Sequence, residues 1–367
     1  MRTPATLALL CLATCGDTAA PGFSTGPAIT SVSATSGSSS TSSAGSDTTF
    51  TVPEDESIGS ADIGSDSGTL RDVGANADFG SNQPIGCKGK VDLLFVISRQ
   101  GTMIDEQKQL VASFPGFVKT IEEKLEGFDV HIMTANPDGE WPGWTCETEP
   151  SACPSDKTCG DSAPGYQCGV FPDYWMPCDQ ELGAGLTFNV GSGAANELCE
   201  LHGGNRYIVG EEPNREKMLE CIAKVGYMGT DPPMGEALVA ALDPKINAPG
   251  GCNAGFLRAD ALLVVVIITD TEDASYTWHN AWYAKIIAAK KDPSAVVMLG
   301  IIPQPMKEGE PWDPECTYDS GGTNKLRSLV EMFPNRAFGD TCAASYAPFF
   351  ADAAELVASA CGAFVPQ

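Results

Sequence analysis

Apolar residues along this chain fall into short continuous runs separated by stretches with helical spacing. The runs Val91–Ile97 and Ala261–Thr269 consist almost entirely of β-branched residues, leucine and other apolar residues. Runs of this length, bounded by turn residues, predict strands that are buried on both faces. Between them, the segment Leu110–Leu125 places apolar residues three or four positions apart. That spacing predicts a helix with one apolar stripe facing a sheet.

The same criteria predict further elements on both sides of the Ala261–Thr269 strand. The additional strands are Phe128–Thr134 and Ala295–Ile302, and the additional helices are Asn214–Val225, Met234–Leu242, Ala274–Lys290, Thr323–Met332 and Phe349–Ala360. Asn214 is expected to cap its helix, and Pro115 is expected to kink the first helix. Strands that alternate with helices predict an α/β fold: a doubly wound, mostly parallel sheet with helices on both faces.

Residues 136–206 interrupt this alternation and predict a cysteine-rich, irregular insertion. The segment is rich in cysteine, proline, glycine and aspartate and has no long stretch of helical or strand periodicity. We expect its order to come from disulfides and not from a hydrophobic core. Zinc is the rival interpretation of clustered cysteines. The segment has no Cys-x-x-Cys pair and contains only His202 as a histidine, which argues against zinc.

The chain has fourteen cysteines, and two of them, Cys11 and Cys15, lie in an N-terminal export signal. The other twelve form an even set, which predicts about six disulfides in an oxidising compartment. They are Cys87, Cys146, Cys153, Cys159, Cys168, Cys178, Cys199, Cys221, Cys252, Cys316, Cys342 and Cys361. Cys87 precedes the first strand and Cys361 ends the last helix, so a bridge between these two would clamp the ends of the domain.

The N-terminus has the features of a lipoprotein signal. Arg2 precedes the apolar run Ala5–Ala13, and small residues lead into Cys15, the expected site of lipid modification. Residues 16–86 are rich in Ser, Thr and Gly and are expected to form a disordered tether, which leaves 87–367 as the folded domain. We therefore predict export and lipid anchoring in the cell envelope, at the outer membrane or cell surface. Secretion without a lipid is the alternative.

Net charge limits the classes of partner. The formal charge is −26 and no basic run is present, which argues against nucleic-acid binding because phosphate contacts need clustered Lys and Arg. No stretch after the signal approaches the roughly 18 apolar residues of a membrane-spanning helix. Contact with a membrane is therefore expected through the lipid anchor only.

Three segments together resemble a known family. They are Val91–Met103, the tripeptide Gly229-Thr230-Asp231, and Thr269–Asp273. They are similar to the three metal-site loops of a von Willebrand factor type A (VWA) domain. The segment Cys252–Arg258, which precedes the central strand, is similar to the VWA-like domain of bacterial surface lipoproteins. The resemblance covers about residues 87–361, interrupted by the insertion, and implies a Rossmann-like sheet with a ligand site at its carboxyl edge.

The resemblance also implies the residues of a metal-ion-dependent adhesion site. Those positions are Ser98, Gln100, Thr102, Thr230 and Asp270. The family has Asp-x-Ser-x-Ser in the first loop, where this chain has Ser98, Gln100 and Thr102, so the site is degenerate. Ser98 lacks the negative charge of the family's Asp, Gln100 is longer than Ser, and Arg99 adds a nearby cation. We therefore expect weak binding of Mg²⁺ or another divalent cation, or none.

A purely structural interpretation of the same residues is favoured over metal binding. In it, Ser98 and Thr102 cap the first helix, and Asp270 caps the turn after the central strand. The aromatic residues Trp278 and Trp282, with neighbouring Tyr283, are assigned either to the core or to the edge of a binding face.

The sequence predicts a non-enzymatic, surface-exposed binding module with an unknown protein or glycan partner. No nucleophile elbow, His-Glu-x-x-His helix or phosphate-binding loop is present, and His131 is expected in the core or at a sheet edge. One alternative is a structural component of the envelope whose site has decayed. The other is a secreted hydrolase that uses Asp270, Glu272 or Asp273 as acid and base.

Overall fold

The computed structural model describes the chain from residue 86 to residue 364, with gaps. The described residues are 86–87, 89–141, 158–159, 163–167, 176–227, 229, 231–307, 309, 313, 316–318 and 324–364. The signal peptide, Cys15 and the tether up to residue 85 lie outside the described residues. So do Cys146, Cys153, Cys168 and Thr230.

A parallel sheet is the centre of the domain. The strands in the described residues are β1 (Lys90–Ile97), β2 (Asp129–Ala135), β3 (Thr158–Cys159), β4 (Ala163–Gln167), β5 (Leu262–Ile268), β6 (Val296–Ile302), β7 (Gln304–Pro305), β8 (Thr317–Tyr318) and β9 (Asn335–Asp340). Five of them form one sheet in the order β2-β1-β5-β6-β9, with every neighbouring pair parallel. β3 pairs with β4, and β7 pairs with β8.

Helices cover both faces of this sheet. They are α1 (Ile104–Lys124), α2 (Arg215–Ala223), α3 (Met234–Ala241), α4 (Pro244–Asn247), α5 (His279–Lys290), α6 (Lys325–Glu331) and α7 (Ala347–Ala363). The predicted α/β class, with a parallel sheet between helices, is confirmed. Among the helices of the described residues, none is both long enough and apolar enough to cross a membrane.

The two faces of the sheet form two separate cores because strand side chains alternate. On β1, Phe95 packs into the core beneath α1, α2 and α7, while Leu94 packs into the core beneath α3, α5 and α6. All seven residues of β5 are buried, as expected for the middle strand of a parallel sheet that is covered on both sides. The sheet is therefore packed against a hydrophobic core on each face.

Several predicted elements differ from the structure. The edge strand β9 was not predicted, because its sequence NRAFGD has no apolar run and most of its residues are only half-buried or exposed. The predicted helix Ala274–Lys290 begins only at His279, and residues 274–278 form a loop. Asn214 stands at the start of α2 but has φ 55° and makes no side-chain capping bond. α1 is assigned as one helix through Pro115.

The described part of the insertion is ordered by a core, contrary to the prediction. Leu186, Phe188 and Val190 are all at most 3% exposed. The Leu186 amide donates to the Thr134 carbonyl of β2 at 2.8 Å. Residues 176–206 are thus held by packing and by backbone pairing with β2, and disulfides add to this order. From Leu186 to Val190 apolar and polar residues alternate, a sequence pattern that predicts a segment with one buried face.

Four disulfides join cysteines in the described residues. They are Cys87–Cys361, Cys178–Cys252, Cys199–Cys221 and Cys316–Cys342. The predicted clamp between the two ends of the domain is present, and the Cys87 amide also donates to the Cys361 carbonyl at 3.1 Å. Two of the bridges, Cys178–Cys252 and Cys199–Cys221, fasten the insertion to the remainder of the domain.

Removing the clamp is expected to cost more stability than removing a bridge that closes a short loop. Cys87 and Cys361 are 274 residues apart, whereas Cys316 and Cys342 are 26 residues apart. The loop-closure entropy of the unfolded chain predicts that C87S/C361S loses about 1–2 kcal/mol more unfolding free energy than C316S/C342S. Urea unfolding of the oxidised proteins measures both losses. Equal losses would show that the clamp adds no more than a local cross-link.

Candidate functional site

Three loops meet at the carboxyl edge of the sheet. Loop 1 (residues 98–103) joins β1 to α1, loop 2 (residues 229–233) precedes α3, and loop 3 (residues 269–278) joins β5 to α5. Parallel strands end at the same edge, so loops 1 and 3 leave the sheet side by side. We call the surface that these three loops form the loop face.

Loop 1 folds back on itself through Ser98. The Ser98 side chain is fully buried, and its Oγ accepts a hydrogen bond from the Gln100 amide at 3.2 Å. Its own amide donates to the Ile268 carbonyl of β5 at 2.9 Å. The prediction that Ser98 caps α1 is therefore wrong, because its hydroxyl accepts from a residue within loop 1. Thr102 is exposed on this loop.

Loops 1 and 2 are joined by backbone and side-chain contacts. The Gly229 amide donates to the Arg99 carbonyl at 2.7 Å, and Gly229 forms a parallel bridge with Gln100. A side chain at position 229 would place its Cβ 2.9 Å from the Arg99 Cβ, so this approach requires glycine. The Gln100 Nε2 donates to the Asp231 carboxylate. The structure thus brings Ser98, Gln100 and Asp231 together.

Loop 3 begins with buried polar residues. Asp270 is fully buried. Within the turn, the Thr271 amide donates to the Thr269 hydroxyl at 3.2 Å, and the Ser275 amide donates to the Asp273 carboxylate at 3.0 Å. Thr269 and Asp273 therefore both accept backbone hydrogen bonds within this turn.

Asp273 also joins loop 3 to the start of α3. Its Oδ1 accepts from the Gly235 amide at 2.8 Å and from the Ser275 hydroxyl at 2.9 Å. Burial raises the pKa of the Asp273 carboxyl, while these donors and Lys325 oppose that shift. The carboxylate is therefore a structural cap that fixes loop 3 against α3.

The Arg99 guanidinium contacts the insertion, although the Arg99 backbone pairs with loop 2. Its guanidinium is buried, and Nη1 donates to Asp138 and to the Glu140 carbonyl, each at 3.0 Å. Nη2 donates to the Asn189 side chain at 3.3 Å. The expectation that Arg99 opposes a metal by its charge is therefore corrected, because Asp138 compensates that charge within the insertion. Arg99 instead ties the insertion to the end of β1.

These contacts do not fit a divalent cation on loop 1. Within the described residues, no group of three or more His, Cys, Asp or Glu side chains is arranged to hold a metal ion. The Ser98 hydroxyl accepts from the backbone N–H of Gln100, and the Gln100 side chain presents its Nε2–H donor to Asp231. Mg²⁺ and Ca²⁺ need oxygen ligands, so a donor group in that position competes with them.

The aromatic residues of loop 3 and of the first turns of α5 divide between core and surface. Trp282 is completely buried, and Tyr283 is half-buried against Phe333. Trp278 is 54% exposed and Tyr276 is 95% exposed, the highest value among the large apolar side chains described as exposed. Sequence analysis had placed Tyr276 within a helix and did not identify it as a candidate for the loop face.

Arg258, the last residue of the Cys252–Arg258 segment, lies at the opposite edge of the sheet from the loop face. Arg258 donates through Nε to the buried Asp92 on β1 at 2.7 Å, and its backbone amide donates to the same carboxylate at 2.7 Å. Burial raises the pKa of Asp92, an effect that Arg258 opposes. Asn253 is buried and accepts from the Gly185 amide at 2.8 Å. Gly185 pairs with Ala135 at the carboxyl end of β2, so Asn253 holds the insertion near that end while Arg258 holds the amino edge.

His131 belongs to the same group at the amino edge. Its Nδ1 lies 3.1 Å from the Phe256 carbonyl, and its ring packs against Tyr207 with a centroid distance of 4.7 Å. Burial lowers the pKa of His131. The histidine is thus a packed residue of β2, as its position in a strand predicted.

Comparison with known proteins does not extend this description. No family model matches the chain, and no significant match is found among curated proteins.

The Arg99–Asp138 pair gives a direct test of how the insertion is attached. Both side chains are at most 6% exposed, so R99M leaves a buried carboxylate without its cation. We expect R99M to lower the unfolding free energy by about 3–5 kcal/mol. The double variant R99M/D138N should recover part of this loss, because no unpaired charge then remains. Urea unfolding measures the unfolding free energies of the wild type, R99M and R99M/D138N. A loss below about 1 kcal/mol for R99M would show that this ion pair does not attach the insertion.

Proposed function

We propose that the chain is a non-enzymatic binding module, exported and lipid-anchored at Cys15, that engages a protein or glycan through the loop face of a VWA-like domain. The observation that carries this proposal is the exposure of Tyr276 and Trp278 on loop 3, at 95% and 54%. Aromatic side chains supply large contact areas and are over-represented among residues that dominate binding energy. Two such rings, two residues apart on one surface loop, favour a binding role.

The two exposed rings lie on a loop that is held rigidly. Glu236 accepts from both the amide and the hydroxyl of Thr277 at 3.0 Å, and that hydroxyl accepts from the Trp282 indole at 2.7 Å. Lys325 donates to the Ser275 carbonyl at 2.6 Å and lies 5.3 Å from the centre of the Trp278 ring. Tyr276 is therefore anchored on both sides through its neighbours. A loop whose backbone is fixed before binding loses little entropy when a partner binds.

The direction in which the chain enters the domain supports the same role. Cys87 and Cys361 are bridged beside the start of β1, at the amino edge of the sheet. The loop face lies at the carboxyl edge. A domain attached through the residues before Cys87 therefore has its loop face at the edge away from the attachment, where a partner has access.

The VWA-like assignment rests on the same three loops. The resemblance implies that the loops after the first strand, before α3 and after the central strand come together at the carboxyl edge. The contacts of Gln100 with Asp231, and of Asp273 with Gly235, support that arrangement. The four disulfides support export, because such bridges persist in oxidising compartments.

The hydrolase alternative receives less support from the acidic residues of loop 3. General acid–base catalysis needs a carboxyl group that can reach a substrate and exchange a proton with it. Asp273 accepts three hydrogen bonds from neighbouring residues, and Asp270 is fully buried. Glu272 is exposed. Two of the three carboxyls named for a hydrolase, Asp270 and Asp273, are therefore buried away from a substrate, whereas a binding role for loop 3 needs no catalytic carboxyl.

The loop-3 rings are tested by replacing both with alanine. We expect Y276A/W278A to weaken binding at least about 30-fold, the effect of losing 2 kcal/mol at an interface centre. The full-length chain is screened against arrays of glycans and of purified extracellular proteins, and dissociation constants are measured for the ligands found. Thermal unfolding should stay close to that of the wild type, because both rings are exposed.

The matched control for this experiment is E126A. Glu126 is an exposed residue in the turn before β2, at the amino edge of the sheet. We expect it to bind as the wild type does. Equal binding by Y276A/W278A and E126A would place the interface elsewhere. A chain that binds no ligand on either array would favour the alternative of a structural envelope component.

Cys15 provides the test of anchoring. We expect C15A to move the protein from the membrane fraction to the soluble fraction of the exporting cell, because the thiol that carries the lipid is gone. Fractionation followed by immunoblotting measures the distribution, and C11A serves as the matched cysteine control. A C15A protein that remains with the membrane would show that Cys15 is not the anchor.

A further inference from the structure

The contact between loops 1 and 2 is made by a neutral amide at a place where the VWA resemblance implies a metal ion. We infer that the Gln100 side-chain amide replaces a divalent cation here, holding loop 1 to loop 2 through Asp231 so that the loop face forms without metal. The inference uses the loop face of the proposed function for its location. It is tested by protein stability and not by ligand binding.

The backbone forces this side-chain contact. The Gly229 amide donates to the Arg99 carbonyl at 2.7 Å, and Gln100 and Gly229 form a parallel bridge. Position 231 is two residues beyond Gly229, and its carboxylate accepts from the Gln100 Nε2. Because the two loops are paired along their backbones, the Gln100 side-chain amide lies within hydrogen-bonding reach of the Asp231 carboxylate.

Hydrogen-bond chemistry fixes the orientation of the amide. A carboxylate has only acceptor atoms, so the NH₂ group of Gln100 faces Asp231; the opposite orientation would place two oxygens in contact. A cation held between the same residues would need an oxygen from Gln100. The amide nitrogen therefore satisfies the Asp231 carboxylate in the way that a cation would, but as a hydrogen-bond donor.

The neighbouring polar groups are engaged in the same arrangement. Ser98 is fully buried, and its Oγ accepts from the backbone N–H of Gln100 at 3.2 Å. Gln107 donates to the Ser98 carbonyl at 3.1 Å and to the Gly226 carbonyl at 2.6 Å, which adds a second link between loop 1 and the chain before loop 2. Two side-chain amides, those of Gln100 and Gln107, therefore join loop 1 to loop 2 and to the residues before it.

One substitution should convert this contact into a cation-dependent one. Q100E replaces the amide by a carboxylate that faces Asp231, and the two like charges repel. We expect its melting temperature in EDTA to fall by roughly 3–8 °C below that of the wild type. Millimolar Mg²⁺ or Ca²⁺ at constant ionic strength should restore most of this loss, because the cation then bridges the two carboxylates. The wild type should change by about 1 °C or less between the same conditions.

Two further variants separate this effect from a general effect of charge. Q100E/D231N exchanges the positions of amide and carboxylate, so the hydrogen bond forms again with its polarity reversed. We expect this double variant to recover its melting temperature in EDTA, without any cation. Q180E adds the same charge at an exposed glutamine in the 3₁₀ turn Pro177–Gln180 and should respond to cations as the wild type does.

Three results would overturn the inference. They are a wild type that divalent cations stabilise by several degrees, a Q100E variant that equals the wild type in EDTA, and a Q100E variant whose loss no cation restores. If Q100E does not fold, the double variant decides: folding of Q100E/D231N in EDTA supports the inference, and failure contradicts it. Ligand binding enters none of these results, so the proposed function can fail while this inference holds.

Discussion

The register between β1 and β5 is the constraint on which the loop face depends. Ile97 pairs with Ile268, the last residue of each strand, and the Ser98 amide then donates to the Ile268 carbonyl at 2.9 Å. Loops 1 and 3 therefore leave the sheet at the same level. A shift of one residue would turn the buried side chains of β5 to the opposite core and would separate the two loops. The seven buried residues of β5 resist such a shift, since both cores would have to repack.

Sequence patterns predict the elements that are buried and miss those whose position depends on distant partners. Val91–Ile97 and Ala261–Thr269 were found because an uninterrupted apolar run has few other uses in a soluble domain. β9 was missed since an edge strand needs no such run. The residues before His279 have helix-compatible spacing, but Glu236 and Asp273 hold them as a loop. Those bonds join residues about 40 positions apart, so no local pattern contains them.

The tripeptide Ser98-Arg99-Gln100 shows why residue types alone do not define a site. Its three side chains contact three different neighbours: loop 1 itself, the insertion and loop 2. The sequence indicates a hydroxyl, a cation and an amide beside one another, and the expectation that the Arg99 charge lies beside the ligand positions Ser98 and Gln100 was wrong. The direction of each side chain follows from the insertion and from Gly229, which lie far away in sequence. The fold of this region was predictable, whereas its chemistry required the partners of each side chain.

Charged and polar groups have different roles at the two edges of the sheet, and this difference supports the binding role proposed for the loop face. At the amino edge, Arg258 neutralises the buried Asp92 and Lys90 pairs with Asp260 at 2.8 Å, so the charges there serve the fold. At the carboxyl edge, the buried polar groups of loop 3 fix the backbone and leave Tyr276 and Trp278 exposed. Exposing a large ring to water is unfavourable, and folding does not require it here. A loop whose backbone is already fixed beneath two exposed rings is instead what a preformed binding surface needs, which supports the proposal that the loop face meets the partner.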